Sequence, residues 1–209
     1  MKKSLLILFF ILCGHVYSCD DLLNTDVKIL NEDEYRNLCE YADKTILVVN
    51  TASKCGYTGQ FEGLEALQRR FSSEGFTVLG FPSRNFLWQE YEDEAKVGEF
   101  CKAMYDVTFP MFSISNVKSS TKHPFYKKLF QLTEERPKWN FHKFLITKDG
   151  EIKSFSHKLE PNDPKIIKAI QDSIELLPSS SPTITNCGLS TANIPTSMTP
   201  GIFLISFSI

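Results

Sequence analysis

Cys55 is placed by its neighbours where a sulfur anion would be useful. It follows the β-branched apolar run Ile46, Leu47, Val48 and Val49 and the small residues Thr51, Ala52 and Ser53, and a helical pattern opens at Phe61. That order predicts a strand, a loop and a helix N-terminus with a thiol at the junction. The first N–H groups of a helix have no intrahelical partners and the macrodipole is positive there, so a thiolate is favoured. A buried structural thiol is the ordinary alternative for a lone cysteine, and this stretch alone leaves both open. A redox pair at such a junction would be C-x-x-C, but the second position is Thr58, which weakens a plain disulfide-reductase reading. A lone activated thiolate can instead attack a peroxide oxygen and become a sulfenic acid, with which a second thiol then condenses.

The elements that must position this thiol follow from periodicity. Phe61, Leu64, Leu67 and Phe71 recur at helical intervals up to Gly75, and Phe76–Pro82 reads as a second buried strand, parallel to the first. Ser83–Tyr91 is then a loop at the carboxyl end of that strand, the edge where open α/β sheets build sites, and it carries Asn85, Trp88 and Gln89. Glu92–Tyr105 is helical, with Val97, Phe100, Cys101 and Met104 on its apolar side, so that Cys101 faces inward or toward a neighbouring element. A strand over Thr108–Val117 and a short helix over Pro124–Leu132 follow. Strands Asn140–Lys148 and Glu151–His157 are joined by Asp149-Gly150, a hairpin signal, and Asp163–Leu177 is a last amphipathic helix. The order β-α-β-α-β-α-β-β-α predicts an α/β chain resembling the thioredoxin fold, a central mixed β-sheet flanked by helices.

The totals bound the rest. A chain of 209 residues with 42% hydrophobic content holds one ordinary domain. The net charge of −2, without basic blocks, offers nothing to nucleic acid. Glycine-rich phosphate loops and zinc-spaced His/Cys clusters are missing too, so no cofactor, nucleotide or metal is expected. Lys2 and Lys3, the apolar run Leu5–Cys13 and the stretch Val16-Tyr17-Ser18 predict a signal peptide over residues 1–18 and an exported protein, periplasmic or secreted. Cys19 at the next position also allows a membrane lipoprotein, although Tyr17 is bulky for that signal. In an oxidising compartment Cys19 and Cys39 could pair; two independent thiols are the alternative. The domain is expected over 19–178, its first stretch, Cys19–Val27, polar and irregular. Residues 179–209, rich in Ser, Thr, Pro and Asn before an apolar end, are expected to be a disordered tail.

Four ordered blocks, Val48–Thr58 (VVNTASKCGYT), Leu79–Glu90 (LGFPSRNFLWQE), Phe100–Phe112 (FCKAMYDVTFPMF) and Trp139–Gly150 (WNFHKFLITKDG), resemble the signatures of the glutathione peroxidase family. The resemblance runs from about Leu30 to Leu177. It implies that Cys55 is the peroxidatic cysteine and that Gln89, Trp139 and Asn140 complete a catalytic tetrad. Amide and indole N–H groups donate without competing as bases, so they can stabilise the sulfur anion and the departing oxygen. Cys101, in F-C-x-x-x-Y, matches the resolving cysteine of the two-cysteine, thioredoxin-dependent branch, and the helix around it would unwind locally to let it react. Ser83 stands where many relatives carry another cysteine. Arg84, Asn85, Leu87 and Trp88 depart from the usual loop.

The tetrameric, glutathione-using members carry insertions before the F-P block and before W-N-F, and both connections are short here. The resemblance therefore implies a monomer with an open site, acting on hydrogen peroxide and on organic and lipid hydroperoxides in the response to oxidative stress. A thioredoxin-like dithiol donor is expected to recycle it, with glutathione less favoured. Two other readings compete: a thiol-disulfide oxidoreductase or redox relay that oxidises client proteins, and a catalytically idle binding module.

Overall fold

A computed structural model of the chain describes residues 19–118 and 123–175. The expected signal peptide over 1–18 and the expected tail over 179–209, with the domain end at 178, lie outside them. In chain order the strands are β1 (Asp26–Lys28), β2 (Tyr35–Asn37), β3 (Thr45–Thr51), β4 (Phe76–Pro82), β5 (Lys143–Ile146) and β6 (Ile152–Phe155). The α-helices are α1 (Gln60–Phe71), α2 (Glu94–Tyr105), α3 (Pro124–Thr133) and α4 (Pro164–Glu175). The main sheet has the order β4-β3-β5-β6: β3 runs parallel to β4 and antiparallel to β5, which turns back into β6. This mixed sheet between helices is the thioredoxin-like α/β architecture that the element order predicted.

Alternation along the strands divides the core into two layers. Ile46, Val48, Leu79, Phe81 and Phe144 face one side, where Phe125 of α3 and the N-terminal residues Leu22 and Leu38 cover them. Leu47, Val49, Val78 and Leu145 face the other, under Phe61 and Leu64 of α1, Val97 and Cys101 of α2 and Ile166 of α4. Burying each such side chain is worth roughly 1.5–3 kcal/mol. Cys55 packs against the margin of this second layer, so both candidate redox thiols lie on one side of the sheet. Gly75 closes the turn after α1 at φ 84°, and Gly150 sits at φ 86° between β5 and β6, as their positions before a strand and in a hairpin turn require.

Three expectations need correction. Thr108–Val117 is no strand: it makes only isolated bridges, Met111 with Gly80 and Phe112 with Ile29. Pro110 brings no N–H to a ladder, and the segment divides its backbone bonds between β4 (Phe112 N to Gly80 O, 2.9 Å) and the N-terminal hairpin (Ser113 N to Lys28 O, 2.9 Å). It crosses β4 so closely that a Cβ on Gly80 would collide with Met111 Sδ. The N-terminal stretch, expected to be irregular, ends in the antiparallel β1–β2 hairpin. The strand expected from Asn140 begins only at Lys143, because Asn140 and Phe141 form a turn whose Phe141 N–H donates to Asn50 O at 2.7 Å.

Of the alternatives at Cys19 and Cys39, the structure takes the disulfide, with Cα atoms 5.6 Å apart, inside the span such a bridge can close.

Candidate active site

The thiol at the centre sits in a turn between β3 and α1 that Thr58 builds. The Thr58 hydroxyl accepts the Cys55 N–H at 2.9 Å, and its own proton lies between Ala52 O (2.9 Å) and Cys55 O (2.7 Å). Thr58 N–H returns to Cys55 O at 3.0 Å. The residue in the place of a second redox cysteine is therefore the scaffold of the first. Inside this turn the Tyr57 N–H donates to Cys55 Sγ at 3.5 Å, and the side chain is half-buried. The helix proper starts only at Gln60, so the sulfur receives one turn amide rather than the open end of α1.

Gln89 joins that turn to the rest of the site. Its carbonyl accepts the Lys54 N–H at 2.9 Å, and its side-chain Oε1 accepts from Asn140 Nδ2 at 3.0 Å. With Oε1 occupied, the amide keeps Nε2 as a donor that has no acceptor among the described residues. The 139–141 turn is docked on the end of β3: Asn50 Nδ2 donates to Trp139 O at 3.0 Å, beside the bond from Phe141 N–H to Asn50 O. Trp139 is half-buried with its ring 5.5 Å from that of Phe86, and its indole N–H has no protein acceptor among the described residues. Asn140 is fully buried and its Oδ1 is likewise unpartnered among them. Gln89, Trp139 and Asn140 thus meet at the carboxyl end of β3, from which the Cys55 turn departs. One of the Asn140 donors is spent on Gln89.

Cys101 is a free thiol on α2, 2% exposed. Burial first, and the charge of Glu90 second, push it up to about 12. Glu90 is itself buried; loss of solvation pushes its carboxyl above the ordinary range. Its Oε1 accepts the Tyr91 N–H at 2.8 Å, whereas Oε2 has no well-formed bond among the described residues, although Ser53 and Lys54 lie close enough to oppose the shift. In this state Cys55 and Cys101 are not bonded to each other.

Two supporting residues escaped sequence reading. Lys143 is fully buried, and its ammonium donates to Gln60 Oε1 (2.6 Å), Phe141 O (2.8 Å) and Leu159 O (2.8 Å). Burial pulls it down to about 7, while three oxygens at hydrogen-bonding distance hold a proton on it. It ties the first residue of α1 to the turn bearing Asn140, whose Phe141 lies at φ 65°. Its signal in the sequence was a lysine at an inward position of an apolar strand. Glu90 is the other, legible only as the partner of Gln89 in a Q-E pair.

Comparison with known proteins adds an independent line. Residues 22–130 match the family model described as glutathione peroxidase. The chain is 36% identical over 177 residues to the thioredoxin/glutathione peroxidase BtuE of Escherichia coli, covering 73% of this chain and 96% of that protein. It is 42% identical over 125 residues to the hydroperoxy fatty acid reductase gpx1 of Synechocystis, covering 55% of this chain and 74% of that one. The crystal structure of Trgpx in its apo form superposes with a TM-score of 0.59 at 34% identity, covering 74% of this chain and 96% of the other.

Proposed function

The chain belongs to the glutathione peroxidase family and is a peroxidase, and from that premise we propose a cycle run by Cys55 and Cys101. The Cys55 thiolate attacks the distal oxygen of a hydroperoxide; the O–O bond breaks, the sulfur becomes a sulfenic acid and the alcohol or water leaves with a proton. The Cys101 sulfur then displaces hydroxide from the sulfenic acid, giving a Cys55–Cys101 disulfide and water. A thioredoxin-like dithiol protein supplies two electrons to restore both thiols. Hydrogen peroxide and organic hydroperoxides, lipid ones included, are the substrates, in defence against oxidative stress. The relatives described as a thioredoxin/glutathione peroxidase and as a hydroperoxy fatty acid reductase support that choice of donor and substrate.

The observation that carries this reading is the bond from Asn140 to Gln89, together with that from Lys54 N–H to the Gln89 carbonyl. It ties an amide donor to the Cys55 turn and leaves N–H groups on Gln89 and Trp139 for the oxygen that leaves. The Cys19–Cys39 disulfide supports export, since such bridges persist in oxidising compartments; the site itself functions as a monomer. The relay alternative, which would pass the same Cys55–Cys101 disulfide on to client proteins, gains no observation of its own. Stopped-flow mixing of the reduced protein with hydrogen peroxide tests the cycle. Rapid loss of one thiol, abolished in Cys55→Ser, is expected, and Cys101→Ala should consume one equivalent of peroxide without recycling. A wild-type reaction no faster than that of free cysteine would sink the proposal.

A further inference from the structure

The loop from β4 to α2 holds two residues that little in the fold's own packing explains. Leu87 and Trp88 are consecutive non-glycine residues at positive φ, 54° and 51°, and they are 66% and 72% exposed. Bulky L-residues are strained in that conformation, and side chains so exposed recover little by packing. The loop is nevertheless fixed on both sides. Asn85 Oδ1 accepts the N–H groups of Val117 (2.8 Å) and Lys118 (3.2 Å). Phe86 is buried against Trp139, and Gln89 donates its N–H to Phe86 O at 3.3 Å while its carbonyl holds Lys54. Leu87 and Trp88 are therefore held out from the surface by a closed set of bonds.

We propose that Leu87 and Trp88 are the anchor on which a dithiol protein docks to reduce the Cys55–Cys101 disulfide. The inference rests on the cycle above. Small ligands are bound by concave sites that cover most of their surface. Side chains this exposed form a knob instead, which only a larger partner with its own hollow can cover. A Trp buries about 150–250 Å² when enclosed, and Trp is among the residues that most often dominate protein interfaces. The polar groups around the knob carry both signs: Lys54 and Lys118, and the Arg84–Glu92 ion pair at 2.6 Å. An apolar centre in a mixed polar rim is the anatomy of a protein interface, whereas a membrane-binding surface is weighted toward cations. The knob immediately precedes Gln89, which is bonded to the Cys55 turn, in the loop that runs on to α2, the helix that carries Cys101. A partner seated there lies beside the supports of both sulfurs.

The chemistry balances as thiol–disulfide exchange. A thiolate of the partner attacks one sulfur of the Cys55–Cys101 disulfide and expels the other as a thiolate, which takes up a proton. The partner's second thiol, losing its proton, attacks the mixed disulfide and releases the remaining sulfur. Two electrons pass: the partner leaves as a disulfide, and Cys55 and Cys101 end as thiols.

The test uses Trp88→Asn and the double variant Leu87→Asn/Trp88→Asn, because Asn tolerates positive φ and keeps the loop shape while removing the apolar surface. Three rates are measured on the full chain: oxidation by hydrogen peroxide, reduction of the oxidised protein by dithiothreitol, and its reduction by recombinant thioredoxin. A parallel run oxidises the protein with linoleic acid hydroperoxide in detergent and on anionic vesicles. The expected result is a loss of about tenfold or more with thioredoxin and no change in the other rates. An unchanged thioredoxin rate overturns the proposal, as does an equal loss with dithiothreitol, a wild-type protein that thioredoxin does not reduce, or a loss confined to the lipid hydroperoxide. A wild-type protein that hydrogen peroxide does not oxidise defeats the cycle itself, a separate outcome.

Discussion

The resolving step should be governed by the stability of α2, and the helix offers two opposite ways to change it. With Cys101 pushed up to about 12, the thiolate fraction at pH 7 in the closed helix is about 10⁻⁵, against roughly 10⁻² for a thiol at its ordinary value of 9.0. Opening α2 thus recovers about a thousandfold in reactive species, besides freeing the sulfur to travel. If opening is a rapid pre-equilibrium, the disulfide-forming rate is proportional to its population. Asp93 caps the helix from an extended conformation, its Oδ1 accepting the Ala95 N–H at 3.0 Å; Asp93→Ala costs about 1 kcal/mol, a factor of about five in population. Gly98 lies inside the helix, and an added Cβ would meet only Leu30 Cδ2 at 3.9 Å, an ordinary contact. Gly98→Ala should therefore stabilise α2 by about the same amount. In stopped-flow oxidation with one equivalent of hydrogen peroxide, the first thiol-consuming phase should be unchanged in both variants. The later disulfide-forming phase should be about fivefold faster in Asp93→Ala and about fivefold slower in Gly98→Ala. Rates that move in the same direction, or do not move, would refute control by helix opening.

Other consequences follow from particular bonds. Because Asn140 Nδ2 donates to Gln89 Oε1, Asn140→Ala should slow peroxide reduction by on the order of 10²-fold, and adding it to Gln89→Ala should cause little further loss. Additive losses in that double-mutant cycle would mean that Asn140 acts on the reacting atoms directly. Thr58→Val leaves the Cys55 N–H without its acceptor and should cost about 1–3 kcal/mol of stability by urea unfolding, with a slower peroxide step; an unchanged midpoint would contradict the scaffold role. Burial lowers both His123 and His142 to about 4, so below the ordinary 6.5 the unfolded chain binds protons that the folded chain refuses. Stability is whole above that pH and is lost as pH falls toward 4, by up to about 3 kcal/mol for each group. His142→Gln should flatten the dependence of the urea midpoint on pH between 6.5 and 4.5, and an unaltered slope would exclude His142 as its source.

What could be read from the sequence was what local periodicity encodes. The β3-α1-β4 unit, the β5–β6 hairpin and α4 follow from apolar spacing and from Gly75 and Gly150, because each is decided by residues close in the chain. Thr108–Val117 misled because an apolar stretch around a proline can lie against a sheet without joining its ladder; its bonds go to Gly80 and to Lys28, far apart in sequence. The β1–β2 hairpin, with strands of three residues, is too short to show a period. At the site, Cys55, Gln89, Trp139 and Asn140 could be nominated from the four blocks, but the bond from Asn140 to Gln89 could not, since it joins residues 51 apart in the chain. Lys143 was illegible for a related reason: its three acceptors, Gln60 Oε1 and the carbonyls of Phe141 and Leu159, come from three separate segments.

Under the proposed cycle, Thr58 and Cys101 together separate two tasks that a C-x-x-C pair performs in one turn. A second cysteine at position 58 would sit beside Cys55 and could form its disulfide locally, without moving a helix. Here the hydroxyl of Thr58 holds the Cys55 turn shut through bonds to Cys55 N–H and to the carbonyls of Ala52 and Cys55, so the sulfur is fixed before it meets an oxidant. The second thiol is instead buried on α2 and kept protonated by its surroundings, including the charge of Glu90. In the proposed cycle, fixing the first sulfur serves the peroxide step, which needs donors at set positions, and burying the second would delay disulfide formation until a helix opens. The two steps can then be varied independently, the first through Gln89 and Asn140 and the second through Asp93 and Gly98.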